Sequence, residues 1–252
     1  MNARAQRARI RVAGAIVTAS LAAGCETITP LQTASTVDPG MWRVGAQLSA
    51  SPYCTVTLDP TGNCYIVPGN LPIPQLKLAA RAGVFPRVDA GLSIQGSGTV
   101  PVAPHPPPSY LRMGALLDAK VEVWSASTES GRHLVAAAAG VGSSLERWST
   151  PSAPLALPDL ELVVPIFYGY QTPELELVAS PRFMERFTFI DITGDGRREV
   201  LEQPWLGLAL RAITRGPQRW AFGLDYSAPT WGLHQGAWTI SVGFMLDLGR
   251  AR

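Results

Sequence analysis

Charged residues fall on a single face of a period-two pattern, and this constrains the fold more than any other feature of the sequence. In Leu111–Trp124, residues Leu111, Met113, Ala115, Leu117, Ala119, Val121 and Val123 share one parity, while Arg112, Gly114, Leu116, Asp118, Lys120 and Glu122 share the other. A helix would scatter those charges around its circumference; a strand sorts them onto one face. Trp42–Ala50 obeys the same rule, with Trp42, Val44, Ala46 and Leu48 opposite Arg43, Gly45, Gln47 and Ser49. Leu76–Val84 sets an apolar parity against Lys77, Arg81 and Gly83, and Val88–Gln95 sets one against Asp89, Gly91, Ser93 and Gln95. Near the C-terminus, Trp238, Ile240, Val242, Phe244, Leu246 and Leu248 face away from Thr239, Ser241, Gly243 and Asp247. Less regular candidates are His133–Ser143, Leu160–Tyr170, Glu174–Phe183, Trp205–Thr214 and Arg219–Ser227. The chain therefore predicts about ten strands, many near the 9–11 residues that a tilted strand needs to cross a bilayer. Strands of soluble domains are mostly about 5–6 residues long.

The connections alternate in length. Ser51–Asn70, Gly96–Tyr110, Leu145–Pro158 and Glu185–Pro204 are long. Phe85-Pro86-Arg87, Gln171-Thr172-Pro173 and Arg215-Gly216-Pro217-Gln218 are tight, with Ser125–Gly131 short and Ala228–Gly236 intermediate. Charged residues make up only 16% of the chain, against about 25% in soluble proteins. Low charge without a long apolar run fits a membrane β-barrel. Over residues 41–249 the pattern resembles the small Gram-negative outer-membrane barrels. That resemblance implies an all-β, antiparallel up-and-down transmembrane β-barrel of about ten strands, occupying 41–252, with short turns in the periplasm and long loops outside. A periplasmic soluble β-sandwich or lipocalin-like barrel, binding a ligand or an envelope partner, would alternate as well. The two readings differ in which side the apolar residues face, and parity alone does not say.

In the membrane reading Arg43, Lys77, Arg81, Asp89, Arg112, Asp118, Lys120 and Glu122 project into a narrow lumen. Mixed charges in a low-dielectric space should pair, so the lumen is expected to be largely plugged. Trp42, Trp124, Trp205, Trp220 and Trp238 lie at proposed strand ends, where an interfacial aromatic girdle would place them.

The first residues carry an address. Arg4, Arg7, Arg9 and Arg11 precede a mainly apolar run, Val12–Ala22, too short for the roughly 20 residues of a membrane helix. Small residues follow, as a secretory signal requires. Leu21-Ala22-Ala23-Gly24-Cys25 resembles the bacterial lipobox, with Ala22 standing where Leu is more usual. The resemblance implies a signal peptide over 1–24, lipid (palmitate or a similar acyl group) on Cys25, and a lipidated linker over 25–40. Glu26 follows the cysteine, where Asp would favour the inner membrane, so the expected location is the outer membrane with a periplasmic N-terminus. Removing the four leading arginines leaves 17 basic against 19 acidic residues, a formal charge of −2. Nothing in that balance suggests nucleic acid. Cys54 and Cys64 remain as an even pair in a loop-like stretch, and an oxidising periplasm would join them. Such a bond would constrain the unfolded chain by roughly 3 kcal/mol.

Asp191, Thr193, Asp195, Arg197, Glu199 and Glu202 resemble the calcium loop of EF-hand and FG-GAP-type repeats, with Gly196 at the sharp turn. Alternate oxygens in a tight loop converge on one point, as calcium requires. Thr193 departs from the usual Asp or Asn. A bare acidic turn is the competing reading, and no cofactor is required. His105, His133 and His234 share no ligand spacing. His234 in an outer loop resembles the rim histidine of ten-stranded outer-membrane proteases, but no paired acidic motif accompanies it. A nucleophile elbow and a phosphate loop are both missing from the sequence. The expectation is a non-enzymatic barrel with exposed loops, in a structural, adhesive or limited small-solute transport role. Its partners are outer-membrane lipid and other envelope proteins.

Overall fold

A computed structural model describes residues 32–58, 64–98, 109–149, 154–190, 199–230, 233 and 236–249. Ten strands follow one another: β1 (Trp42–Leu58), β2 (Cys64–Phe85), β3 (Val88–Gly98), β4 (Ser109–Ser127), β5 (Arg132–Ser149), β6 (Pro154–Gln171), β7 (Leu175–Ile190), β8 (Glu199–Thr214), β9 (Gln218–Pro229) and β10 (Ala237–Leu248). Each pairs antiparallel with its sequence neighbours, and β1 closes on β10 from Trp42↔Leu248 to Ala50↔Ile240. From Trp42↔Leu248 to Ala50↔Ile240 the sheet closes on itself without an edge. All backbone donors and acceptors in the paired wall can therefore be satisfied without water, the condition for crossing a bilayer with strands.

Side-chain parity now acquires a direction. Leu48, Leu78, Ile94, Leu117, Val164, Leu210, Phe222 and Ile240 all lie exposed on the outer surface. Arg81, Asp89, Arg112, Lys120, Glu161, Arg182 and Asp225 are buried on the inner one. The molecule is inside-out relative to a water-soluble barrel, so the alternative of a soluble β domain with an apolar core is overturned. Along β10 the outward residues Trp238 to Leu246 span eight residue steps. At about 3.3 Å per step and a tilt near 40°, this makes an apolar band roughly 20 Å tall.

All the tight connections lie at one end with Met41 and Gly249, here termed the turn end. Their geometry is local. Thr172 N donates to Leu175 O at 2.8 Å and its hydroxyl accepts from Leu175 N at 3.1 Å. Arg87 adopts a φ of 65°, the conformation that Gly or Asn takes most readily.

Several strands run further than the alternation suggested. Most of Ser51–Asn70, expected as a loop, continues the β1/β2 hairpin from Ser51↔Ile73 to Leu58↔Cys64, with a bulge between Pro52 and Cys54. In that register Cys54 faces Pro68 and Cys64 faces Leu58. The two cysteines are offset by four steps, roughly 13 Å along the strand, whereas a disulfide needs Cα atoms within about 7 Å. The expected bridge does not fit this ladder.

Trp205 also departs from expectation. Trp42, Trp124, Trp220 and Trp238 face outward and are about half exposed. Trp205 shares the parity of Gln203 and Arg211, so it points inward and packs on Leu116, Val163 and Met184.

Candidate functional site in the lumen

The inner face is filled by ion pairs in tiers. Toward the loop end, Arg112 pairs with Glu161 and lies 3.6 Å from Glu146. Arg186 reaches the same two carboxylates at 3.1 and 3.9 Å. At mid-height, Arg182 and Arg211 share Asp225, at 2.5 and 3.5 Å. Toward the turn end, Arg81 pairs with Asp89 and bridges to Asp118 at 2.7 Å. Lys120 lies 3.4 Å from Asp89, and Arg43 and Arg219 hold Asp247 at 2.5 and 2.6 Å. The Arg132–Glu122 pair at 2.8 Å forms the rim. Glycines leave room for the long cations: a Cβ at Gly91 would lie 2.6 Å from Arg81 Nη1, and one at Gly207 2.7 Å from Arg182 Nε.

Arg43, Lys77, Arg81, Asp89, Arg112, Lys120 and Glu122 are buried inside the wall, and Asp118 contributes a side chain only 4% exposed. Glu146, Asp159, Glu161, Glu176, Arg182, Arg186, Arg211 and Asp225 join them. Sequence reasoning missed this second set. Its signal was available, since Asp159 and Glu161, or Arg182 and Arg186, keep the polar parity of their strands.

The larger omission is a segment. Residues 32–39, expected as part of a linker, enter the barrel from the turn end and form an internal strap. Gln32, Thr33, Ala34 and Val37 are all at most 3% exposed. Pro39 bridges to Gly83 in parallel, and Gly40 N donates to Gly83 O at 3.1 Å. Deeper in, Val37 N donates to Asp89 Oδ2 at 2.9 Å. Ala34 N and Ser35 N both donate to Glu176 Oε1, at 2.7 and 3.4 Å. Lys120 Nζ donates to the carbonyls of Thr33 and Ser35 at 3.0 and 2.8 Å. Arg43 Nη1 donates to the Thr33 hydroxyl at 2.7 Å, and Gln32 Nε2 to Asp118 at 3.3 Å. Ala34 meanwhile packs with Leu134, Ala136, Phe167, Val178, Ile213 and Met245, the apolar part of the inner wall.

Cys25, and Asp191, Thr193, Asp195 and Arg197 of the candidate calcium loop, lie outside the described residues, as do His105 and His234. Glu199 opens β8, and Glu202 stands exposed three residues on. His133 is on the outer wall, its Nδ1 2.8 Å from the Tyr168 hydroxyl and its ring 5.0 Å from that of Tyr170. Among the described residues no three His, Cys, Asp or Glu side chains form a metal cluster.

Fold and lumen together define a class: a closed ten-strand antiparallel barrel with an apolar outside and a charged, packed inside. No protein-family model and no curated protein matches the sequence. Solved structures resemble it in fold alone. The β domain of the Bordetella autotransporter BrkA is 8% identical, with a TM-score of 0.46 over 82% of this chain and 99% of that one. The translocator domain of the autotransporter NalP from Neisseria meningitidis is 11% identical, with a TM-score of 0.41 over 96% and 97%. The outer membrane protease OmpT from Escherichia coli is 8% identical, with a TM-score of 0.40 over 88% and 98%. None of these likenesses bears on what this chain does.

Proposed function

We propose that this chain is a non-enzymatic, lipid-anchored outer-membrane barrel with a closed lumen, which displays its loop-end connections outside the cell in a structural or adhesive role. The polarity of the wall carries this reading: the apolar residues face out as a band, and the charges they alternate with are paired within. A hydrocarbon surroundings suits such an exterior, whereas water would not. The turn end, which holds the N-terminal side of β1, then faces the periplasm. Lipid on Cys25 tethers that same side, because two or more acyl chains give stable anchoring. Tiered ion pairs and the strap occupy the lumen, which argues against conduction.

Planar-bilayer recording tests the closed lumen. Silent bilayers are expected from protein that migrates as a folded, heat-modifiable band; stable large conductance steps would overturn the reading. The anchor has its own test. Cys25→Ser should abolish acyl labelling while the barrel still needs detergent for extraction. Release of that variant by salt or carbonate would show that the lipid alone held it.

A further inference from the structure

We propose that the turn-end half of the lumen is a binding site for an extended peptide, filled in this molecule by its own residues Gln32–Pro39. This goes beyond the membrane reading and stands independently of it, since the site needs only the closed wall.

The contacts are of the kind that recognise a chain rather than a sequence. Three strap N–H groups reach two wall carboxylates, Glu176 and Asp89. Two strap carbonyls converge on the Lys120 ammonium. Among the described residues Thr33 and Gln32 are the strap side chains held by the wall, through Arg43 and Asp118. Successive N–H groups aimed at one carboxylate oxygen form a small cationic concavity, an arrangement any residue pair can offer. The five wall groups, Arg43, Asp89, Asp118, Lys120 and Glu176, reach in from four strands, β1, β3, β4 and β7, so the site is part of the barrel and the strap is its occupant. Side-chain selection comes from shape. Gly169 on β6 faces the strap, and a Cβ there would overlap the Ala34 methyl. Its other neighbours, Glu176 Oε1 at 3.5 Å and Leu134 Cβ at 3.7 Å, sit at ordinary contact distance. The site therefore takes an extended peptide with a small residue at the Ala34 position, and the covalent link to β1 gives the strap the advantage of a high effective concentration over any free competitor.

That shape allows a complementary pair of substitutions in the full chain. Gly169→Ala should evict the strap, and adding Ala34→Gly should readmit it. Hydrogen exchange over residues 32–39 reads this directly: slow in the native protein, at least tenfold faster in Gly169→Ala, slow again in the double variant. A labelled free peptide with the sequence of residues 32–39 is then titrated into detergent-folded Gly169→Ala protein by fluorescence anisotropy. The peptide carrying Gly at the Ala34 position should bind saturably, and the unaltered peptide at least tenfold more weakly. Adding Glu176→Gln should weaken the glycine peptide at least tenfold. The proposal fails if the native strap exchanges fast in a heat-modifiable barrel, or if Gly169→Ala leaves it slow. It fails equally if the two peptides bind alike or neither binds the folded variant. Loss of the membrane reading would leave all these outcomes unchanged.

Discussion

A single arginine placed on the outer wall measures what surrounds it. Val242 lies four residues from Trp238 and four from Leu246, at the middle of the apolar band. The residue is 40% exposed, between Leu48 of β1 and Phe222 of β9 in the ladder. If the outer wall faces hydrocarbon, Val242→Arg costs about 2–4 kcal/mol at the bilayer midplane. That is a roughly 30- to 700-fold shift in the folding equilibrium. Leu248→Arg, at the turn-end rim, should cost only about 0–1 kcal/mol because its charge reaches the interface. Were the wall in water, both changes at exposed positions would fall within about 0.5 kcal/mol of neutral. The assay is equilibrium unfolding by guanidinium from phosphatidylcholine vesicles, followed by tryptophan fluorescence. Equal midpoints for Val242→Arg and Leu248→Arg, at equal slopes, would refute the assignment of the outer face to lipid.

Three further outcomes follow from particular residues. Asp225→Ala removes the carboxylate that Arg182 and Arg211 share, and should destabilise the folded barrel by about 3–5 kcal/mol in the same unfolding assay. Arg87→Gly relieves an L-residue held at φ 65°, which should stabilise by about 1 kcal/mol if the turn keeps its form. A thiol reagent in denaturant, without reductant, should titrate both Cys54 and Cys64. A bridged pair, which would give no signal from either, requires the β1/β2 register to slip.

What was legible in the sequence is what parity encodes. Five segments show their strands because charge and apolar residues alternate, the other five are less regular, and Arg112, Asp118, Lys120 and Glu122 mark the inner face of β4 before any coordinates. The direction of that face is not encoded by alternation, since an apolar core and an apolar exterior alternate alike. Strand ends were hidden for a second reason. Ser51–Asn70 contains Pro52, Pro60 and Pro68 with Gly62 and Gly69, a loop composition, yet the backbone pairs from Ser51↔Ile73 to Leu58↔Cys64. Trp205 was assigned by position at a strand end, when the parity of Gln203 and Arg211 was the better guide. The strap was invisible. Gln32–Pro39 has no periodicity, and its key partner Glu176 lies 142 residues away from Ala34.

The strap also accounts for how the inner wall balances its charges. Glu176 is fully buried beside the apolar cluster of β5 to β10, and its nearest cation among the ion pairs, Arg219, is 4.0 Å away. A carboxylate so placed is costly unless several donors reach it. The wall strands cannot supply those donors, because their N–H groups are committed to the ladder. The N–H groups of Ala34 and Ser35 are not so committed, and they converge on Glu176. Lys120, with Asp89 at 3.4 Å, gains the carbonyls of Thr33 and Ser35 as further acceptors. A ten-strand barrel is somewhat wider than the eight-strand case that side chains alone can fill. Here a length of backbone takes the extra space and brings N–H groups to Glu176 and carbonyls to Lys120. Emptying the turn-end lumen therefore strips Glu176 of two N–H donors and Lys120 of two carbonyl acceptors, which water or another chain would have to replace.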